Sequence, residues 1–209
     1  MTDPMSALPT AVQWSHVLLA PRLRAGDIVV DATAGNGHDS LFLAEAVLPR
    51  GHVFVFDLQA AAIESTRERL AGAGFPSEQG LTLIHAGHEE MCGRIPAEFH
   101  GRIKAIMFNL GFLPGGDKGV ITRTSTTMNA LAQATTLLAE DGILTVVAYP
   151  GHEGGNEEGS AIEAWMQTLS STEFEVQKLA FLNFRPTTPF VMWLRKRSAR
   201  PPQIIPASG

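Results

Sequence analysis

The chain has 209 residues, 44% of them hydrophobic and 18% charged, and a formal charge of −5. That balance excludes a disordered or fibrous chain, and the length suits one domain spanning residues 1–209 with a substantial buried core. A single cysteine, Cys92, excludes an internal disulfide framework, and the absence of a signal-peptide pattern or a long apolar run leads to the expectation of a cytoplasmic protein away from membranes.

Residues 11–23 read as an amphipathic helix whose apolar part is Val12, Val17, Leu18 and Leu19. A turn at 24–27 leads into a first strand, 28–31, and a glycine turn then opens a helix running to about Leu48. Residues 52–56 form a second apolar strand ending at Asp57, and 60–70 a helix with Glu64, Arg67 and Glu68 on its wet side. A third strand covers 81–84, a fourth 103–108, a helix roughly 126–138 and a fifth strand 143–148, with Glu-Asp-Gly142 as the turn between the last two. Residues 159–169 read as a helix in which Trp165 fits either a core position or a dimer contact, so a homodimer stays open. Strands at 175–181 and 190–194 come last, close enough to pair antiparallel, and a basic tail covers about 195–209. Strand and helix alternating through five units predict an α/β, Rossmann-like, seven-stranded, mostly parallel sheet with helices on both faces and an antiparallel C-terminal pair.

The most informative segment is Asp31-Ala-Thr-Ala34-Gly35-Asn36-Gly37-His38-Asp39-Ser40. A strand ending in a carboxylate, a turn through two glycines and a helix start bring backbone and unpaired N–H groups close to a ligand. The dinucleotide fingerprint requires a third glycine where this chain has Ser40, and a carboxylate before the turn repels a pyrophosphate. It suits a cationic group, such as the amino group and sulfonium of S-adenosyl-L-methionine. The Asp-x-x-x-Gly-x-Gly spacing resembles motif I of the class I methyltransferases, and two late strands after five alternating units match the methyltransferase version of the fold.

Ligands of open α/β sheets sit beyond the carboxyl ends of the strands. Asp57, an acceptor when ionised, is placed to take both ribose hydroxyls of an adenosine, with Gln59 adding a donor. His88 and Glu89 follow the third strand, where class I methyltransferases place the adenine. His85 and His88 are three apart, but no metal-ligand spacing supports them, and the expectation is no metal. Asn109 ends the fourth strand, where methyltransferases put the residue that meets the methyl acceptor. Many amine methylases have Asn-Pro-Pro-Tyr there, and this chain departs from that pattern with Asn109-Leu-Gly111-Phe. An amine acceptor attacks only when neutral, and a carboxylate beside it would hold its proton, whereas an amide adds no charge. Asn109 therefore points to nitrogen. Asp117, Lys118, Tyr149, His152 and Glu153 lie in glycine-rich loops that face a substrate. Lys118 and Arg123 could hold phosphates. The five basic residues Arg185, Arg195, Lys196, Arg197 and Arg200 read either as a phosphate-contacting patch or as a solvated strand end and frayed tail.

Taken together, the wording of residues 31–39, Phe56-Asp-Leu-Gln59, Gly87-His-Glu89, Asn109-Leu-Gly-Phe-Leu-Pro-Gly-Gly-Asp-Lys118 and Tyr149-Pro-Gly-His-Glu-Gly-Gly155 resembles one bacterial family, the rRNA methylases. Some members of that family are tRNA methyltransferases acting on 5-aminomethyl-2-thiouridine at the wobble position. The resemblance runs from about Asp27 to Leu194. It implies S-adenosyl-L-methionine as cofactor and methyl transfer to the exocyclic aminomethyl nitrogen of an RNA, either a tRNA anticodon stem-loop or rRNA. It also implies that Asp31, Gly35, Asn36, Gly37, Asp39, Asp57, Gln59, His88 and Asn109 line the cofactor, with Ala34, Ser40 and Glu89 in the same loops. Asn109, Tyr149 and His152 would be catalytic, and Gly111, Asp117, Lys118, Arg123 and Glu153 would meet the substrate. A small-molecule amine methyltransferase shares every cofactor motif, and a non-enzymatic Rossmann-like binding module is the rival from another class. The net acidity limits the contact to a small RNA element with its base flipped out.

Overall fold

The computed structural model describes residues 8–76, 80–111, 123–151 and 154–198. Its strands are β1 (Ile28–Asp31), β2 (His52–Asp57), β3 (Leu81–His85), β4 (Ile103–Asn109), β5 (Leu138–Ala148), β6 (Phe174–Leu179) and β7 (Phe190–Lys196). The helices are α1 (Ala11–Leu19), α2 (His38–Val47), α3 (Ala60–Gly72), α4 (Met91–Arg94), α5 (Thr124–Leu137) and α6 (Gly155–Thr168). The sheet order is β3-β2-β1-β4-β5-β7-β6, with the first five strands parallel and β7 antiparallel to both β5 and β6. This is the expected α/β sheet. Its order reverses between β1 and β4, the point where such sheets bind ligands.

Side-chain alternation along the strands divides the core between the two faces. Val30, Phe54, Phe56, Ile106, Phe108, Leu144 and Val146 pack on one side, against Leu131 and Leu137 of α5 and Ile162 and Met166 of α6. Val29, Val53, Val55, Ala105 and Met107 pack on the other, against Leu43 and Val47 of α2 and Ile63 and Leu70 of α3. Trp165 is half-buried against the first of these clusters. Helix α1 covers the β5–β7 end of the second face, where Ala11 meets Val147 and Val191, and Val12, Trp14 and Trp193 pack alongside. Its buried side is Ala11, Ser15 and Leu19, whereas Val17 is half exposed. The helix stops at Leu19, where Pro21 converts its end to a 3₁₀ turn. Among the described residues no helix is long and apolar enough to cross a membrane.

Three stretches differ from the sequence reading. Strand β5 begins at Leu138, so the Glu-Asp-Gly142 turn is absorbed into an irregular strand rather than separating helix from strand. The register against β4 shifts between Ile103 and Ala105, and Asp141 sits at φ 57. A Cβ on Gly142 would lie 2.8 Å from the Ala139 carbonyl and 2.9 Å from that of Ile103, so glycine permits the irregularity. Second, a 3₁₀ turn (His88–Glu90) and α4 fill the β3–β4 connection, clamped by Gln133 of α5, whose side chain accepts from the Cys92 N–H and donates to the Glu89 carbonyl. Third, the basic C-terminal stretch is largely engaged within the chain, and β7 runs two residues into the segment read as a tail. Arg195 pairs with Asp141 at 2.9 Å and Glu175 at 2.7 Å, and Arg197 with Glu175 at 3.0 Å. Lys196 Nζ donates to the carbonyls of Thr135 and Leu138. Of the five basic residues, Arg185 alone among those described stays exposed without an ion pair, and Arg200 lies outside the described residues.

The junction of β1, α2 and β2 is tight. A Cβ on Gly51 would lie 2.2 Å from the Asp27 carbonyl oxygen and 2.8 Å from that of Val47, both backbone atoms that cannot swing aside. Gly51→Ala should therefore cost roughly 1–3 kcal/mol of stability through overpacking, read as a lower urea midpoint with an unchanged m-value. A midpoint equal to wild type would show that the junction has slack.

Candidate functional site

Residues 31–40 carry β1 into α2 through a turn with Gly35 at φ 53 and Gly37 at φ 77, both left-handed. Gly37 is needed twice over. Besides its positive φ, a Cβ there would lie 2.9 Å from the Cα of Thr66, because α3 packs directly against the loop. Thr66 Oγ1 and Arg69 Nε, both on α3, donate to the carbonyls of Gly35 (3.4 Å) and Asn36 (2.5 Å). Arg69 also reaches His38, at 3.1 Å. With those carbonyls turned toward α3, the loop keeps donors on its other side: the Gly35 N–H goes to Asp57 Oδ2 at 3.0 Å. The other Asp57 oxygen accepts from the Gln59 N–H at 2.8 Å, so Asp57 closes both its own turn and the glycine turn beside it. Ala34 is buried and donates its N–H to the Phe56 carbonyl, which fastens the loop to β2.

Two carboxylates lie beneath this turn. Asp31 is fully buried, accepting from Ser40 Oγ at 2.6 Å and from the Thr33 N–H at 3.1 Å. Burial, with the charges of Asp39 and Asp57 adding to it, pushes its pKa up to about 7. Asp31 thus anchors Ser40 and the loop from below. Asp39, 5% exposed, faces the other way. Its Oδ1 lies 2.6 Å from His16 Nε2, and its Oδ2 accepts from Asn109 Nδ2 at 3.4 Å. His16 comes from α1 and stacks on Phe42 of α2, with centroids 4.1 Å apart and planes 3° from parallel.

Asn109 ends β4 two residues beyond the level of Asp31, and Thr33 Oγ1 accepts its N–H at 2.7 Å. The Tyr149 phenol, just past the end of β5, hydrogen-bonds the Asn109 side chain. Burial and the Asp39 charge raise its pKa above the usual 10, so it stays a neutral hydroxyl at physiological pH. Asp39, Asn109 and Tyr149 therefore form one cluster at the carboxyl edge of β1, β4 and β5, backed by His16.

His88 is buried. Its ring meets Phe108 edge-on at 5.6 Å and bonds the Ala32 carbonyl, while Nε2 has no partner. Burial holds its pKa below the usual value, so the ring is neutral at physiological pH. Glu89 is half-buried and folds its carboxylate back over Gly87, where a Cβ would leave no room for it. Glu158, in the first turn of α6, is buried with Thr127 Oγ1 donating to it at 2.6 Å. Gly111 is half-buried and Arg123 exposed at the N-terminus of α5. Asp117, Lys118, His152 and Glu153 lie outside the described residues.

The structure thus gathers Asp31, Asp39, Ser40, Asp57, Gln59, His88, Asn109 and Tyr149 around the glycine loop. Sequence reasoning missed His16, Thr33, Thr66, Arg69 and Glu158. Most of these sit on helices remote in sequence from the loops they serve. The available hint was local: Ser15-His16 interrupts the apolar part of α1, and Arg69 extends the wet side of α3.

Comparison with known proteins agrees with this geometry. Residues 53–195 match the sequence family described as "Putative rRNA methylase". The chain is 37% identical over 193 residues to the chloroplastic tRNA (mnm(5)s(2)U34)-methyltransferase of Arabidopsis thaliana, a match covering 90% of this chain and 69% of that one. A solved rRNA-methylase structure from Clostridium thermocellum, likewise described as putative, superposes with TM-score 0.85 at 37% identity, covering 91% of this chain and 99% of the other. A methyltransferase from Streptococcus mutans in complex with SAH gives 0.79 at 30%, with coverages of 91% and 99%.

The elevated Asp31 pKa has a definite sign. The folded state keeps this proton up to about pH 7, while the unfolded chain releases it near the ordinary 3.8. Stability contributed by the protonated form is complete below about pH 4 and is lost as pH rises through about 7, a change of a few kcal/mol at ~1.4 kcal/mol per unit. Asp31→Asn, uncharged throughout, should gain stability relative to wild type as pH rises from about 4 to about 7, with a constant difference above that, in urea unfolding. A pH-independent difference would place the burial cost elsewhere.

Proposed function

Because this chain belongs to the rRNA methylase family of class I S-adenosylmethionine-dependent methyltransferases, we propose that it methylates RNA, at the exocyclic amine of 5-aminomethyl-2-thiouridine in the tRNA wobble position. The observation that carries this reading is the 37% identity, over nine-tenths of the chain, to a relative whose name specifies that modified uridine. The acceptor corner agrees with it: an uncharged amide, Asn109, ends β4 and shares hydrogen bonds with Asp39 and Tyr149.

The residues present fit S-adenosylmethionine. The loop donors at the start of α2 and the Asp57 carboxylate suit its carboxylate and ribose ends, and the buried, unpartnered His88 Nε2 is a polar atom awaiting a ligand group. When bound, the cofactor supplies a methyl group on a cationic sulfur. Asp39, with Asp31 beneath it, gives the pocket negative character that favours that cation. Asn109 holds the amine by its N–H while adding no charge to retain its proton. Tyr149, kept neutral, fixes the Asn109 amide, and His16 fixes Asp39 from behind. Transfer then depends on positioning more than on a strong base, since the product ammonium can lose its proton afterwards. The cytoplasm and a tRNA anticodon stem-loop are the proposed setting and partner, with a base-flipped contact small enough for an acidic protein.

Asn109→Ala should cut kcat about 100-fold through lost positioning while leaving the Kd for S-adenosylhomocysteine near the wild-type value. Equal losses in both would move Asn109 into the cofactor shell. The substrate is tested with tritiated S-adenosylmethionine and RNA from cells lacking the protein, digested to nucleosides after incubation. Label in 5-methylaminomethyl-2-thiouridine from tRNA is the expected result. Label in an rRNA nucleoside would move the substrate, and no RNA label with cofactor binding intact would replace RNA by a small amine.

A further inference from the structure

The connection between β6 and β7, residues 180–189, rises from the same sheet edge as the acceptor cluster, since Ala148 at the end of β5 pairs with Phe190 at the start of β7. It lies against the acceptor loop, the stretch from Tyr149 that follows β5: a Cβ on Gly151 would be 3.3 Å from the Thr187 carbonyl and 3.4 Å from its Cβ. Between this connection, α6 and Pro150 lies an open cavity of about 400 Å³, lined among others by Asn156, Ser160, Lys178, Phe181, Phe184 and Arg185. That volume is within the range of small-ligand pockets.

The apolar residues here are unusually exposed for a segment with its own internal turns. Leu182 is 98% and Phe184 61% exposed, and the Phe181 and Phe184 rings stand 5.3 Å apart at 48°. Backbone bonds from Phe184 N–H to Phe181 and from Thr188 N–H to Arg185 hold the aromatic pair and the arginine in place. The charges beside them differ in availability. Lys178 is taken by Glu163 at 2.6 Å and sits 4.4 Å above the Phe190 ring, whereas Arg185 is exposed with no ion pair among the described residues. A free guanidinium next to an exposed aromatic face, continuous with the acceptor loop, matches a nucleotide: the base stacks on the ring and the phosphate meets the cation.

We propose that the β6–β7 connection is an RNA-holding platform, on which Phe184, backed by Phe181, stacks a base neighbouring the methylated nucleotide while Arg185 holds its phosphate. This rests on RNA being the substrate. It adds a binding surface outside the cofactor and acceptor loops, and it explains how an acidic protein grips RNA with few charges.

The test compares wild type, Phe184→Ala, Phe184→Trp and Arg185→Ala, measuring methylation kinetics and affinity for a tRNA stem-loop, with S-adenosylhomocysteine binding as the fold control. Phe184→Ala should raise KM and Kd for the RNA about tenfold, with a much smaller change in kcat, and Phe184→Trp should restore binding. Arg185→Ala should weaken binding and lower the slope of log affinity against log salt by about one. An unchanged RNA KM and Kd in Phe184→Ala, with wild type active on RNA, overturns the platform alone. A shift from dimer to monomer in Phe184→Ala with RNA affinity intact also overturns it and gives the surface to a second copy. If wild type neither binds nor methylates RNA, the substrate reading fails and the platform with it.

Discussion

Two carboxylates held under one turn set the terms for the whole site. Asp31 and Asp39 are both buried, and burial together with the neighbouring Asp39 charge raises the cost of ionising Asp31. The fold tolerates them by giving each oxygen a donor or an adjacent polar group: Ser40 and the Thr33 N–H for Asp31, His16 and Asn109 for Asp39. Removing any of these would leave a buried carboxyl oxygen with one donor fewer, which is costlier than losing an exposed hydrogen bond. The arrangement is therefore coupled, so the loop, the end of β4 and α1 are positioned by one electrostatic problem.

The glycine turn solves a second problem, that of presenting donors. Its carbonyls are drawn to Thr66 and Arg69, and its Gly35 N–H meets a carboxylate on the neighbouring strand. A loop braced from α3 and from β2 loses little entropy when something binds it. Side chains of α3 and β2 hold its backbone, and His16 and Asn109 hold Asp39 at its helical end.

Much of this was legible in the sequence because the signals are local. Two glycines with positive φ, carboxylates ending β1 and β2 and an asparagine ending β4 are written in consecutive residues, and parallel strands put their ends on one edge. What the sequence concealed is non-local. Nothing near His16 announces Asp39, and nothing near Arg69 announces the Asn36 carbonyl, since each contact exists only once two helices have docked. The Glu-Asp-Gly142 stretch misled for a related reason. Turn-forming residues there are held within β5 by Lys104, Arg195 and Ser198, which bond the Asp141 carbonyl and carboxylate. Of the basic residues that composition offers as a nucleic-acid contact, Arg195 and Lys196 are instead occupied with holding that irregular strand, and Arg197 with Glu175.

The docking of α1 on β5 and β7 ties the acceptor corner to strands that contribute none of its carboxylates. Helix α1 precedes β1, yet its seat exists only where β7 has paired with β5, so its position depends on contacts between distant parts of the chain. Such contacts carry a loop-closure cost that local ones do not. Loosening the β5–β7 pair would therefore reach His16, and through it Asp39, although neither residue lies on those strands.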